Sequence, residues 1–244
     1  MLWKRTLSYF HRLTISRLYR ARYTMFGTPQ IPIYTQTPIG TFELEVSPQW
    51  HRLGYTASGH NPYEPTLMQR LYEILRAEDV FYNIGSRWGI FSVFAANCDL
   101  SPNNIHDFES IKSNVDILRR NVPNDSPITV ACVGETADNG QVAIDEYCER
   151  HDEPTVAKID VEGAEAGVLR GMTNVLDQVS PHLFIEMHPN YLEIKGDDQH
   201  EVVDVLREHG YDISVYLQHR DKGESHSLEE ATLPERGEYL LEAQ

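Results

Sequence analysis

The sequence predicts an open, doubly wound α/β sheet, and three observations carry that prediction. Strand-like and helix-like segments alternate from residue 65 onward, which calls for parallel strands joined by right-handed crossovers. The first strand of the series opens straight into a glycine turn, Gly85-Ser86-Arg87-Trp88-Gly89. With 244 residues, 41% hydrophobic and 24% charged, the chain has the length and composition of a globular α/β domain with appendages, so disorder and fibrous architectures are excluded.

Taken in order, residues 1–27 form a basic segment. Lys4, Arg5, Arg12, Arg17, Arg20 and Arg22 precede the first acid, Glu43, and Trp3, Leu7, Phe10 and Leu18 fall on one helical stripe. Docking on an anionic membrane surface or an acidic partner fits this pattern, and so does packing on the chain's own acidic body. Residues 28–64, rich in Pro, Gly, Thr and Tyr with a short alternation over 41–46, read as a β-hairpin and turns. The third unit, 65–244, reads as the main domain. Helices are expected over 65–77, 89–97, 111–121, 164–176 and 200–209. Strands are expected over 80–84, 105–108, 128–133, 156–160, 183–187 and 212–217, with 238–241 as a last edge strand.

The charge balance is 37 Asp and Glu against 21 Lys and Arg, formally −16. Such a body repels phosphate backbones, which excludes general nucleic-acid binding. Five of the basic residues are Lys and the rest Arg, and acid excess with scarce Lys is the surface of a halophilic protein. Three cysteines with no close pair fit a reducing cytoplasm. No apolar run reaches the roughly 18 residues that cross a bilayer. A cytoplasmic protein, with peripheral contact at the inner membrane surface through residues 1–26, is the expectation.

Open α/β sheets bind ligands at the carboxyl ends of their strands. The Gly85 turn allows close backbone approach, and Glu109, at the end of the second strand and 20 residues beyond Gly89, can accept hydrogen bonds from ribose hydroxyls. Only two glycines stand in this loop, with Arg87 and Trp88 between them, which weakens a pyrophosphate-binding reading.

The most specific stretch is Lys158-Ile159-Asp160-Val161-Glu162-Gly163-Ala164-Glu165, followed by a strand ending Glu186-Met187-His188. Here the sequence resembles the FkbM family of S-adenosylmethionine-dependent methyltransferases, over about residues 41–191 and including Tyr63-Glu64-Pro65. The resemblance implies a class I methyltransferase (Rossmann-like) fold: a mostly parallel, seven-stranded sheet, here with N-terminal helix and hairpin additions. It implies S-adenosylmethionine as cofactor and methyl transfer to an oxygen of a sugar or small metabolite. By that likeness Asn83, Gly85, Ser86 and Gly89 line the methionine part of the cofactor and Glu109 holds the ribose. Ser110 and Asn114 lie near them, Cys132 and Val133 pass the adenine, and Asp145 and Tyr147 border the pocket. Asn83 stands where the family has Asp, Ser86-Arg87 where it has Ala-Asn, and Ser110 where it has Pro; a weaker hold on the cofactor follows.

Methyl transfer needs an acceptor oxygen placed in line and relieved of its proton. Asp160 or Glu162 is the expected contact to cofactor and acceptor, and Glu186 or His188 the general base. The same cluster offers ligands for a divalent cation, an alternative not favoured on sequence. Glu165 reads equally as a first-turn acid set by the helix dipole, and Lys158 as partner of a nearby acid. Two other classes of function stay open, a noncatalytic module of the same fold and a nicotinamide-dependent oxidoreductase.

Overall fold

The computed structural model describes residues 30–47, 62–221 and 223–244. The basic segment 1–27 lies outside the described residues, as do parts of 28–64. The hairpin expected near the N-terminus is present as β1 (Gln30–Tyr34) paired antiparallel with β2 (Thr41–Glu45). In both strands alternate residues are buried, Ile31, Ile33, Phe42 and Leu44 facing inward, as a sheet with one solvated face requires.

Helix α1 (Pro65–Ile74) starts on a proline, where the missing N–H costs nothing, and is followed by β3 (Phe81–Ile84) and α2 (Ile90–Ala96). Next come β4 (Ile105–Phe108), α3 (Lys112–Asn121) and β5 (Ile128–Thr129). A two-stranded ribbon, β6 (Cys132–Val133) with β7 (Gln141–Val142), leads into α4 (Ile144–Cys148) and β8 (Val156–Ile159). After β8 run α5 (Glu165–Arg170), α6 (Thr173–Gln178), β9 (His182–Met187), α7 (Pro189–Lys195) and α8 (Gln199–Glu208). β10 (Ile213–Tyr216), β11 (His226–Ser227) and β12 (Tyr239–Ala243) complete the chain.

The main sheet has the order β11-β10-β12-β9-β8-β3-β4-β5. β5, β4, β3, β8 and β9 are mutually parallel, and β12 enters antiparallel between β9 and β10. Without the two-residue edge β11, this is the seven-stranded, mostly parallel, Rossmann-like sheet of a class I methyltransferase.

Three elements differ from the sequence expectation. Residues 128–133 make two strands in two sheets, because half-exposed Val130 sits where the chain leaves β4 for the ribbon. The helix over 164–176 breaks at Gly171, a Cβ on which would lie 2.1 Å from the Gly134 carbonyl oxygen, so the ribbon leaves no room for a continuous helix face there. Asp145 accepts from the backbone N–H groups of Asn174 and Val175 and so caps the second piece from a distance. Finally, β12 is an interior strand and not an edge, which its five fully buried residues require.

The period-two alternation divides each strand between two cores. Tyr82, Ile84, Ala157, Ile159, Leu183, Ile185 and Leu241 face α5, α6 and α8. Phe81, Ile105, Val156, Phe184 and Leu240 face the hairpin, α1 and α2. On that second face the position two residues further along each strand is polar: Asn83, Asp107, Lys158, Glu186 and Glu242, every one buried. A layer of buried polar groups therefore runs across the sheet beneath α1 and α2.

Candidate active site

A cavity of about 690 Å³ opens at the carboxyl ends of β3, β4 and β8. Its walls include Gly85, Arg87, Trp88, Glu109, Ser110, Ile111, Asn114, Cys132, Val133, Gln141, Asp160, Glu162 and Lys195. Gly85 has φ +84°, and a Cβ there would stand 1.8 Å from the Asp160 carbonyl oxygen, so β3 and β8 can approach this closely only with glycine at the turn. The size suits a nucleoside-bearing cofactor.

Glu109 is the anchor of this wall. Its Oε1 accepts from the N–H of Ile111 at 2.7 Å, and its Oε2 accepts from the N–H of Arg87 at 2.9 Å and from Asn114 at 3.4 Å. Three donors from two loops fix the carboxylate at the pocket edge, and a carboxylate with about four lone-pair sites retains acceptor capacity for a ribose hydroxyl. Asn114 also accepts from the Trp88 indole N–H at 3.2 Å, and the Arg87 guanidinium lies over that indole at 4.4 Å.

Of the expected cofactor residues, Gly85, Glu109, Ser110, Asn114, Cys132 and Val133 line the cavity; Asn83, Ser86 and Gly89 do not. The Asn83 amide turns under the loop and donates to Ser92 Oγ at 2.8 Å and Asp107 Oδ1 at 3.2 Å. Its strand partner Asp107 is fully buried, and burial pushes its carboxyl up to about 6. The Ser86 hydroxyl donates to the Asn83 carbonyl at 2.7 Å, closing the turn from below. Gly89 faces Leu118 and Val122, each 2.7 Å from where its Cβ would lie, and serves helix packing. Asp145, the α6 cap, and Tyr147 also lie off the cavity; Tyr147 stacks on His151 at 3.8 Å and hydrogen-bonds His106.

Asp160, half-buried, belongs to the cavity wall and touches the buried polar layer through Lys158. Its Oδ2 accepts from Lys158 Nζ at 2.8 Å, the partnership expected for Lys158, and its Oδ1 lies 3.8 Å from His188 Nε2. His188, buried at the end of β9, is held through Nδ1 by Glu165 Oε1 at 2.9 Å. The same Glu165 oxygen accepts from the Gly163 N–H at 3.0 Å, so this fully buried carboxylate ties the β8–α5 loop to the histidine. Burial lowers the His188 pKa, but the hydrogen bond that the imidazole donates to Glu165 and the charge of Asp160 outweigh it and raise the net value.

Glu186 lies beside this pair, with Oε1 taking Arg220 Nη2 at 2.7 Å and His219 Nε2 at 3.3 Å. Burial raises its pKa, yet His219, Lys158 and Arg220 together hold it well below the usual carboxylate range. Glu186 is therefore an ion at neutral pH with little affinity for a proton, which speaks against the base role expected for it. Glu162 is exposed at the cavity wall with φ +48°, and no described contact joins it to the buried layer.

Two participants were missed from the sequence. Glu64, N-terminal neighbour of α1, is 8% exposed and has its Oε2 buried without a partner. Burial, and then the charge of Glu186, push its carboxyl up to about 7. Its φ of +36° is unusual for a side chain with a Cβ. Arg87 was read only as a departure in the glycine loop, and it faces the cavity with φ +52°. An acid directly before a proline that opens a helix was the available signal for Glu64; none marked Arg87.

Among the described residues no helix is long and apolar enough to cross a membrane. No curated protein matches this chain. Similar solved structures include a precorrin-6Y C5,15-methyltransferase from Geobacter metallireducens, 18% identical with a TM-score of 0.47, covering 74% of this chain and 86% of that one. A methyltransferase FkbM from Methylobacillus flagellatus is 19% identical with a TM-score of 0.46, and this chain spans 45% of its length while 70% of this chain is covered. Aeropyrum pernix fibrillarin, in complex with S-adenosyl-L-methionine, is 12% identical with a TM-score of 0.47, covering 73% of each chain. Residues 133–213, which contain the Lys158–Glu165 block and the β9 strand, match the family model of the methyltransferase FkbM domain.

Proposed function

We propose that this protein is an S-adenosylmethionine-dependent methyltransferase that methylates a hydroxyl oxygen of a sugar or small metabolite. The observation that carries the reading is the position of Glu109, fixed by three donors at the rim of a cavity whose far wall is Asp160. The cofactor-shaped space and the acid-rich cluster thus meet at one residue, within a chain that matches the FkbM domain over 133–213.

The residues present fit the cofactor. Glu109 offers acceptors to the ribose, the Gly85 turn lets β3 and β8 close up beside the cavity, and Ile111 and Val133 supply apolar surface for a base. When bound, S-adenosylmethionine supplies a methyl carbon on a sulfonium, open to in-line displacement. The protein's own task is to hold an acceptor oxygen against that carbon and to let its proton go. Asp160 stands where both tasks meet, half-buried, with one oxygen anchored by Lys158 and the other turned toward His188. The Asp160 oxygen not held by Lys158 is the acceptor available for the proton of a hydroxyl entering from the cavity.

Calorimetric titration with S-adenosylmethionine, S-adenosylhomocysteine and NAD tests the reading. Saturable binding of the first two and not of NAD is expected. Binding of NAD alone would turn the reading toward an oxidoreductase, and absence of all three at low and molar salt toward a noncatalytic module.

A further inference from the structure

We infer that Asp160, Glu186 and His188 form a binding site for one divalent cation at the acceptor side of the cavity. Each offers a ligand atom, and the three atoms lie within 4.8 Å of one another. Metal–ligand bonds of about 2.0–2.2 Å put neighbouring donors about 3–3.6 Å apart, so closure needs side-chain shifts of up to about an ångström.

The surroundings are built for a cation rather than merely acidic. His188 has its Nδ1 engaged by Glu165, which sets the ring orientation and turns Nε2 toward Asp160, the carboxylate–histidine arrangement that supports metal ligands. Asp160 keeps Oδ1 clear of Lys158, which takes Oδ2, and both contacts to Glu186 fall on its Oε1. An independent sign is Glu64, 8% exposed, whose buried Oε2 has no partner. Such a group is costly unless something arrives to satisfy it. Two carboxylate oxygens with one imidazole suit Mn²⁺, Zn²⁺ or Mg²⁺ better than soft ions.

The site stands on its own geometry, and its role rests on the methyl-transfer reading. A cation here would hold the acceptor oxygen beside Asp160 and make its proton easier to lose. An acceptor with two adjacent oxygens, such as a vicinal diol of a sugar, would be favoured because it can occupy two open positions on the ion.

The test uses Mn²⁺ with the full chain in the absence of cofactor. Electron paramagnetic resonance should show one tightly bound ion per chain, with nitrogen coupling from His188 in the pulsed spectrum. Asp160→Asn and Glu186→Gln should each abolish that tight class, and Glu165→Gln should weaken it about 10- to 100-fold, the effect of removing a supporting partner. Glu135→Gln, at the exposed Arg170 pair, should leave it unchanged. Asp160 is 27% exposed and Asn keeps an acceptor oxygen for Lys158 Nζ, so Asp160→Asn carries the test if Glu186→Gln does not fold. Absence of a tight ion, absence of nitrogen coupling, or tight binding unchanged in Asp160→Asn would overturn the site. Tight Mn²⁺ without S-adenosylmethionine binding would keep the site and sink the methyltransferase reading. Cofactor binding and transfer unaffected by chelator, with no tight Mn²⁺, would do the reverse.

Discussion

Neutralising Glu242 should cost this protein about a quarter or more of an ordinary domain's stability. In β12 its carboxylate accepts from Arg70 Nε and Nη2 at 3.0 and 2.7 Å, from His182 Nε2 at 2.7 Å and from the Tyr216 hydroxyl at 2.6 Å. Burial would raise its pKa, but those hydrogen bonds from His182, Arg70 and Tyr216 pull it down to about 2 from an ordinary 4.5. The folded state therefore favours the carboxylate by about 3 kcal/mol. The contribution is fully present above pH 4.5 and is lost as the pH falls toward 2. Glu242→Gln replaces one acceptor oxygen by a donor facing donors, so at pH 7 a loss of about 3 kcal/mol is expected, or about 6–12 °C in Tm for a chain of this size. Urea unfolding of both proteins at pH 7 and pH 3 measures it. The gap between them should be wide at pH 7 and should narrow at pH 3, because the native protein alone loses this contribution. A gap below about 1 kcal/mol at pH 7, or one independent of pH, would refute the reasoning. Arg70 belongs to α1, so the same variant loosens the helix that starts beside Glu64.

Three further outcomes are expected. Glu109→Gln should weaken S-adenosylmethionine binding about 10- to 100-fold in calorimetry, since a hydrogen bond to a charged group is worth about 1.5–3 kcal/mol; unchanged affinity would remove Glu109 from the cofactor site. Gly85→Ala should lower Tm and cofactor affinity together, because the new Cβ meets the Asp160 carbonyl and φ +84° is strained for alanine; a variant matching the native protein in both would contradict the tight turn. The buried Asp107 carboxyl, raised to about 6 from 3.8, penalises folding above pH 6 and ceases to do so as the pH falls below 3.8, so Asp107→Asn should gain stability relative to the native protein more at pH 8 than at pH 4 in urea titrations. An equal gain at both would show that the Asp107 carboxyl binds its proton equally well in the folded and unfolded chain.

Much of the fold was legible because its signals are local. Pro65, the glycine loop and the apolar stretch over 183–187 each fix an element by rules that operate within a few residues. The failures have a common cause in contacts between distant segments. Nothing near Gly171 shows that Gly134 will press against it, and nothing in 239–243 shows that β9 and β10 leave a gap of one strand. The site divides in the same way. Glu109 and Asp160 were found from strand-end position, whereas Asn83 was misplaced because its partner is on the neighbouring strand. The grouping of Asp160, Glu186 and His188 requires two adjacent strands to end at the same height. Glu64 arrives from outside the sheet altogether.

The interior position of β12 sets the order in which the molecule can be completed. Until residues 239–243 are available, β9 and β10 each present an unpaired edge to the surroundings, and Tyr216 and His182 lack the carboxylate they share. A nascent chain that has already formed β3, β4 and β8 must therefore keep an apolar gap open at its centre until the last strand is threaded in. Slow closure of that gap, and exposure to aggregation while it lasts, are the kinetic consequences of so distant a pairing.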